Sequence, residues 1–157
     1  MAKQKKVNSI FLCAPYTQTI DNSTQLINDS YKGWLTEIIN YLRQKTDVLY
    51  NSHTREEWGA KISSPKEAVE IDFTQISQSD YVVAYIGTPP SPGVLTELGF
   101  AACLKKPIVI FTENSNPIPF FQQGLEAWTN VRFVCFDNTK DLFEKIDNAL
   151  ASFSQSG

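Results

Sequence analysis

The chain has 157 residues, of which 42% are hydrophobic and 20% are charged, and its net charge is −3. This composition predicts a soluble globular protein with one domain, residues 1–157, that is long enough to bury a core. A chain with this charge and no basic, aromatic-rich stripe is not expected to bind a nucleic-acid polymer. Because it has no bilayer-length apolar run and no signal-peptide core, we expect a cytoplasmic protein without a membrane partner.

The cysteines and the histidine argue against disulfides and metal sites. Cys13, Cys103 and Cys135 are an odd number and lie in apolar stretches, which predicts reduced thiols buried in the core. No cysteine and histidine spacing is typical of zinc, and His53 is the only histidine. We therefore expect no metal and no cofactor. Residues 1–6 and 154–157 are expected to be frayed.

Five short apolar runs predict β-strands, and segments with helical spacing alternate with them. The strands are predicted at residues 7–13, 48–50, 81–86, 107–111 and 131–136. The helices are predicted at about 26–43, from 65 onward, and at 95–104, 117–127 and 141–153, with N-cap candidates at 21–23 and at Ser64. Val69, Phe73 and Ile76 should form the apolar face of the second helix, and residues 51–65 should form a long loop with one helical turn.

This alternation predicts the fold class. Strands that alternate with helices form a parallel sheet covered on both faces, and right-handed crossovers restrict its topology. We therefore expect a three-layer, flavodoxin-like (Rossmann-like) α/β fold with a five-stranded parallel sheet and helices on both faces.

The segment from Thr88 to Gly99, TPPSPGVLTELG, is the most informative part of the chain. It follows a predicted buried strand and leads into a helix, at the edge of the sheet where α/β folds bind ligands. Ser91 and Gly93 could hold a phosphate at the helix N-terminus, and Glu97 could act as a nucleophile or a general acid/base. Alternatively, Ser91 is an ordinary N-cap and Glu97 a first-turn capping carboxylate.

Other candidate residues follow the earlier strands. Tyr16 and Thr17 come after the first strand and could contribute hydroxyl groups. In the loop after the second strand, Arg55 could pair with phosphate and Trp58 could stack on a base, with His53 beside them. The alternative is a surface loop that Trp58 anchors to the core.

A last candidate, Asp72, is expected near the start of its helix, where spacing alone favours a carboxylate that only stabilises the helix dipole.

Taken together, these motifs resemble the nucleoside 2-deoxyribosyltransferase family over nearly the whole chain. The similarity rests on DFTQISQSD from Asp72, on GVLTELGFA from Gly93 and on KPIV from Lys106. The resemblance implies that Glu97 attacks the anomeric carbon to form a glycosyl-enzyme. It also implies that Asp72 assists proton transfer at the base.

One position narrows the resemblance to a branch of that family. Members that act on free nucleosides typically have an aspartate six residues before the glutamate, and Ser91 stands there. The segment is similar to the branch of 2′-deoxynucleoside 5′-monophosphate N-glycosidases and CMP hydrolases, in which the matching serine binds the 5′-phosphate. The resemblance thus implies hydrolysis of the N-glycosidic bond of a nucleoside 5′-monophosphate, ribo or deoxyribo.

The chain departs from the family pattern at two places. Phe11 stands where members carry a tyrosine that orients the glutamate, and residues 119–121 lack the usual polar group donated to a neighbouring subunit's site. Phe121 could instead pack against the base across an interface, in a homodimer or higher homo-oligomer. Base exchange between deoxyribonucleosides, a non-catalytic nucleotide-binding or signalling module and, more distantly, NAD cleavage remain as alternatives.

Overall fold

The structure, a computed structural model, describes residues 7–155 and contains a five-stranded parallel sheet with the strand order β2-β1-β3-β4-β5. Its strands are Val7–Cys13 (β1), Thr46–Tyr50 (β2), Tyr81–Tyr85 (β3), Ile108–Glu113 (β4) and Val131–Phe136 (β5). Its helices are Asp29–Lys45 (α1), Ser52–Arg55 (α2), Pro65–Gln78 (α3), Pro92–Cys103 (α4), Phe120–Gln123 (α5) and Thr139–Ser154 (α6). Short 3₁₀ helices cover Thr17–Thr19, Glu57–Gly59 and Gly124–Ala127.

This strand order confirms the predicted flavodoxin-like fold. Alternation along β1 divides the core into two layers, because successive side chains of a strand point to opposite faces. Ile10 and Leu12 pack in the layer that contains α1 and α6. Phe11 and Cys13 pack in the layer that contains α3 and α4. Both layers are needed because a parallel sheet buries its two faces.

The start of α1 differs from the prediction. Asn28 caps the helix by accepting hydrogen bonds from the backbone N–H groups of Ser30 and Tyr31. The N-cap predicted at residues 21–23 is wrong, because Asp21 instead accepts from the N–H groups of Ser23 and Thr24 within a turn. An aspartate can close such a turn as readily as it caps a helix, and the sequence does not distinguish the two.

The predicted start of α3 is confirmed, but its predicted apolar face is not. Ser64 and Glu67 form a capping box, and Pro65 occupies the first helical position. Only Ile76 of the predicted face is buried, whereas Val69 is 54% exposed and Phe73 is 43% exposed. The reason is that Val69 lines an open cavity and Phe73 packs edge-on against Phe100 at the surface.

The expectation of three buried thiols holds for one cysteine. All three are free, and Cys13 is buried, but Cys103 and Cys135 are exposed. Cys135 lies on the edge strand β5, where the face shared with Phe133 is incompletely covered, and Cys103 ends α4 beside an open groove.

The last helix ends close to the C-terminus, and the described residues contain neither a membrane-spanning helix nor a metal-binding cluster. α6 continues to Ser154, and residues 1–6 and 156–157, which are predicted to be frayed, lie outside the description. Within residues 7–155, no helix has the length and apolar character to span a membrane. The same residues contain no group of three acidic, histidine or cysteine side chains placed to hold a metal.

Candidate active site

A cavity of about 530 Å³ opens where β1 and β3 end. The strand order reverses between these two strands, and this switch point is where doubly wound α/β sheets bind ligands. The polar lining comes from all sides of the cavity: Tyr16, Thr17, Ser52, Arg55, Glu56, Ser63, Asp72, Ser91, Thr96 and Glu97. The remaining wall is apolar or glycine: Ala14, Ile20, Ile62, Pro65, Ala68, Val69, Gly93, Val94 and Phe100.

Helix α4 starts earlier than predicted, and this places Ser91 at its N-terminus. Pro92 occupies the first helical position instead of a turn, and Ser91 is the N-cap. The buried Ser91 Oγ accepts a 3.5 Å hydrogen bond from the N–H of Val94. Gly93 lies exposed in the first turn, and both Ser91 and Gly93 line the cavity. The structure therefore brings both predicted phosphate-binding residues to the site.

Neither acidic candidate stabilises a helix terminus. Glu97 lies six residues after the N-cap, so the capping interpretation fails because α4 begins at Pro92. Asp72 lies in the middle of α3 rather than near its start, and the first-turn acid of that helix is Glu67. Both residues line the cavity instead.

The carboxyl groups of Asp72 and Glu97 meet in hydrogen-bonding contact, although they belong to different helices. Burial raises the pKa of Glu97 to about 8, and the negative charge of Asp72 contributes to the same shift. A hydrogen bond from Cys13 and the positive charge of Arg55 act in the opposite direction and favour the ionised Glu97.

Cys13 is a site residue that the sequence did not reveal. It is the last residue of β1 and is buried against Glu97. Burial and the Glu97 charge raise the pKa of this thiol well above its usual value, so Cys13 stays a neutral S–H donor. Its place at the end of a central strand was the only available signal.

Arg55 lies in the cavity wall beside the carboxylates of Asp72 and Glu56. Its Nη1 donates to Asp72 Oδ1 at 2.7 Å, and its Nη2 donates to Glu56 Oε1 at 3.2 Å. Ser52 Oγ also donates to Asp72 Oδ1, at 3.3 Å. Asn51 caps the short helix α2 that carries Ser52 and Arg55, by accepting from the N–H of Thr54. The predicted pairing of Arg55 with phosphate therefore competes with two carboxylates.

Of the predicted binding residues in the loop after β2, His53 and Trp58 lie outside the cavity lining. His53 is fully buried, shares a 2.9 Å hydrogen bond between Nε2 and the Pro15 carbonyl, and contacts the rings of Tyr16 and Trp58. Burial lowers the pKa of His53 to about 4, so the ring is neutral. Trp58 packs against the core, as the anchoring alternative expects.

The aromatic candidates separate into two groups. Tyr16 and Thr17 line the cavity, as predicted. Phe11 is fully buried in the core layer of α3 and α4 and does not line the cavity. Phe121 lies elsewhere, in a second groove of about 780 Å³ beside the C-terminal half of α4.

Comparisons with known proteins agree with this fold. The family model for nucleoside 2-deoxyribosyltransferases matches residues 22–150. The solution structure of BlsM is 32% identical with a TM-score of 0.75, and the match covers 91% of this chain and 89% of BlsM. A comparison with curated proteins finds no match.

Two further solved structures share the fold at lower identity. BcmB, a CMP N-glycosidase from Clostridium botulinum, is 21% identical with a TM-score of 0.65, over 89% of this chain and 99% of that one. A conserved protein from Enterococcus faecalis V583 is 18% identical with a TM-score of 0.60, over 90% and 98%. The chain therefore belongs to the nucleoside 2-deoxyribosyltransferase family and has a flavodoxin-like fold.

Proposed function

We propose that the protein hydrolyses the N-glycosidic bond of a nucleoside 5′-monophosphate and releases the free base and a sugar 5-phosphate. The contact between the Asp72 and Glu97 carboxyl groups carries this proposal, because it lies in a cavity that also contains the N-terminus of α4. A carboxylate pair and an anion-binding helix terminus are the two elements that this reaction requires.

The N-terminus of α4 would bind the 5′-phosphate. The first N–H groups of a helix lack partners within the helix, and they attract anions together with the helix dipole. Ser91 adds a hydroxyl group there and Gly93 leaves the backbone accessible. An aspartate in place of Ser91 would repel the phosphate, so the serine favours nucleotides over nucleosides.

The acidic pair would hold one proton in the resting enzyme near neutral pH. The raised pKa of Glu97 keeps that proton on the pair, while Arg55 stabilises the negative charge at Asp72. Two carboxyl groups in contact share a proton because both cannot ionise cheaply at this distance.

The shared proton then leaves with the base. In the first step it passes through Asp72 to a nitrogen of the base, the bond between C1′ and the base breaks, and a Glu97 oxygen bonds to C1′. In the second step water attacks C1′ and gives one proton to Asp72, while Glu97 departs as a carboxylate. The carboxyl pair then again holds one proton.

A substrate panel tests the proposal. The purified chain is incubated with ribo- and deoxyribonucleoside monophosphates and with the matching nucleosides, and the released base is quantified. Monophosphates are expected to release base faster than nucleosides. Release from nucleosides alone would refute the phosphate role, incorporation of an added second base would indicate transfer, and tight binding without release would indicate a binding module.

We also propose a cytoplasmic homodimer with the site near the subunit interface. Phe120 and Phe121 are 90% and 78% exposed, and together with the half-exposed Trp128 they flank the second groove. Exposed aromatic patches of this kind are typical of interfaces. Sedimentation velocity is expected to give a dimer for the wild-type chain and a monomer for Phe121→Ser, and a wild-type monomer would refute the proposal.

A further inference from the structure

The loop between β3 and α4, residues 86–91, carries Ser91 to the cavity but packs little of its own surface. Residues 88–90 are exposed. A backbone hydrogen bond from the Ser91 N–H to the Ile86 carbonyl, at 2.9 Å, closes the loop. Segments with few buried contacts are the ones that open most easily. The position of the α4 N-terminus therefore depends on the polar contacts that this loop receives from other segments.

Asn116, in the segment that follows β4, makes the first of these contacts. Its Nδ2 donates to Thr88 Oγ1 at 2.6 Å and to Glu113 Oε2 at 3.1 Å. The other Glu113 oxygen accepts from the Tyr85 hydroxyl, which also contacts the Thr88 hydroxyl. Burial and the Glu113 charge raise the pKa of Tyr85, so the phenol stays a donor. Four side chains thus form a closed polar cluster at the carboxyl ends of β3 and β4.

Gln18 makes the second contact, from the segment that follows β1. Its Nε2 donates to the Pro89 carbonyl oxygen at 2.9 Å, and the preceding residue, Thr17, lines the cavity. Gly87 lies close to the same segment, because a Cβ atom there would come within 2.4 Å of Pro15 Cγ. Two segments that are distant in sequence therefore anchor the loop, one at Thr88 and one at Pro89.

These anchors act on one end of α4 only. Val94, Leu98 and Ala101 hold the body of the helix in the core, so Glu97 keeps its place whether or not the loop is anchored. Asn116 and Gln18 lie outside the cavity lining and do not contact the substrate space. A binding site that is already ordered before the ligand arrives binds it more tightly, because no free energy is spent on ordering.

We infer that Asn116 and Gln18 are positioning residues that preorganise the N-terminus of α4 for the 5′-phosphate by anchoring the β3–α4 loop at Thr88 and Pro89. They act through Ser91 and the first N–H groups of the helix, which are the groups that would meet the phosphate. The inference rests on the proposed function, since that function places a phosphate at this helix terminus.

Substitutions at Thr88 test the first anchor. Thr88→Val removes the hydroxyl that accepts from Asn116 but keeps the branched shape, and should raise KM for monophosphates by about 3- to 10-fold. The kcat value and KM for nucleosides should change little. Thr88→Ser keeps the hydroxyl and should restore the wild-type KM. Asn116→Ala should match Thr88→Val, and the double variant should add nothing, because both changes remove the same bond.

Gln18→Leu tests the second anchor and should also raise KM for monophosphates by about 3- to 10-fold. Its effect should add to that of Thr88→Val, since the two anchors are separate bonds. Asn114→Ala is the matched control, because this amide lies in the same segment as Asn116 but donates to Asp137. Circular dichroism checks that each variant folds.

Two further measurements need no turnover. Each variant is combined with Glu97→Gln and titrated calorimetrically with the four ribonucleoside 5′-monophosphates and the four nucleosides. Amide hydrogen exchange of the free chain is followed by NMR. We expect the anchor variants to lose affinity for monophosphates only, and the Ser91 N–H to exchange about 3- to 10-fold faster while the Ala101 N–H is unaffected.

The outcomes separate this inference from the proposed function. Turnover of monophosphates with an unchanged KM in Thr88→Val and Gln18→Leu would overturn the inference and leave the function intact. Weaker monophosphate binding in these variants, without base release by the wild-type chain, would support the inference and refute the function. Faster exchange at Ser91 with unchanged affinity, or equal losses for nucleotides and nucleosides, would overturn the inference. Absence of monophosphate binding to Glu97→Gln would overturn both.

Discussion

Helix α4 borders two concave surfaces that differ in chemistry more than in size. The N-terminal half of α4 lines the cavity that contains Asp72 and Glu97. Its C-terminal half lines the groove that contains Phe120 and Phe121. The groove is the larger of the two, at about 780 Å³ against about 530 Å³. Volume alone would select the groove, whereas convergent charged groups and a helix N-terminus select the cavity.

The difference follows from where each surface lies on the sheet. The cavity lies at the carboxyl ends of β1 and β3, where several strand ends and helices meet and can supply functional groups. The groove lies between α4 and the α5 segment, and its described titratable side chains are only Cys103 and Glu126. We therefore assign the chemical reaction to the cavity and subunit association to the groove.

The largest effect is expected from Glu97→Gln. Loss of the nucleophile should lower kcat by about 1,000-fold or more, because an amide forms no glycosyl-enzyme. Base release is measured by chromatography under saturating substrate. Glu126→Gln, which removes a carboxylate from the groove, is the matched control and should retain full activity. Comparable losses of activity in the two variants would contradict the assignment of the reaction to the cavity.

Asp72→Asn should have the next largest effect. Without a group that transfers the proton, kcat should fall by about 100-fold, and bases that are poor leaving groups should be affected most. Glu70→Gln is the control, since Glu70 lies on the same helix but is exposed and faces Lys66. An active Asp72→Asn enzyme would show that the proton reaches the base by another route.

The sequence predicts the fold in more detail than it predicts the contact between Asp72 and Glu97. β1 and β5 have their predicted bounds because each is a short, mostly apolar run, VNSIFLC and VRFVCF, between turns. The three prolines at 89, 90 and 92 together with Gly93 resemble a turn and predict a start of α4 at Leu95, whereas proline is also favoured at the first helical position, which Pro92 occupies.

Contacts between distant segments were the part that sequence patterns could not give. The place of Glu97 after a strand and a turn indicates a functional carboxylate, whereas spacing alone favours a helix-dipole role for Asp72, and only the family resemblance pairs the two. Glu56 and Cys13 acquire their neighbours only when α2 and β1 pack against α3 and α4. His53 looked like a loop residue, yet tertiary packing buries it behind the cavity.

Ser91→Asp tests whether the N-terminus of α4 binds the 5′-phosphate. A second negative charge at the N-terminus of α4 should raise KM for monophosphates by about tenfold or more and change KM for nucleosides little. Asn138→Asp makes a similar change at the N-cap of α6, away from the cavity, and should leave both values unchanged. Equal effects on nucleotides and nucleosides would contradict the role of Ser91.

The pH dependence of turnover tests the shared proton. Because the pKa of Glu97 is raised to about 8, the pair loses its proton as the pH rises through that value. We expect kcat/KM to fall about tenfold per pH unit well above pH 8, since no proton is then available for the leaving base. A rate that increases through pH 8 would mean that the fully ionised pair is the active form.

The smallest effect is on stability. The native state holds the Glu97 proton more tightly than the unfolded chain does, so stability should be highest below the unfolded pKa and fall as the pH rises through about 8. Glu97→Gln should therefore be more stable than wild type at pH 9, by up to roughly 1.4 kcal/mol for each unit by which folding raises the Glu97 pKa, and nearly equal at pH 4. Urea denaturation measures both, and an equal difference at the two pH values would contradict the burial of Glu97.

The stereochemistry of the product tests the central claim most directly. When methanol replaces water in the second step, a monophosphate gives a methyl glycoside that cannot interconvert between anomers in solution, and NMR assigns its configuration. Attack by Glu97 followed by methanol inverts C1′ twice, so the account predicts the β-methyl glycoside with retained configuration. The α-anomer would indicate a single displacement and would contradict a glycosyl-enzyme at Glu97.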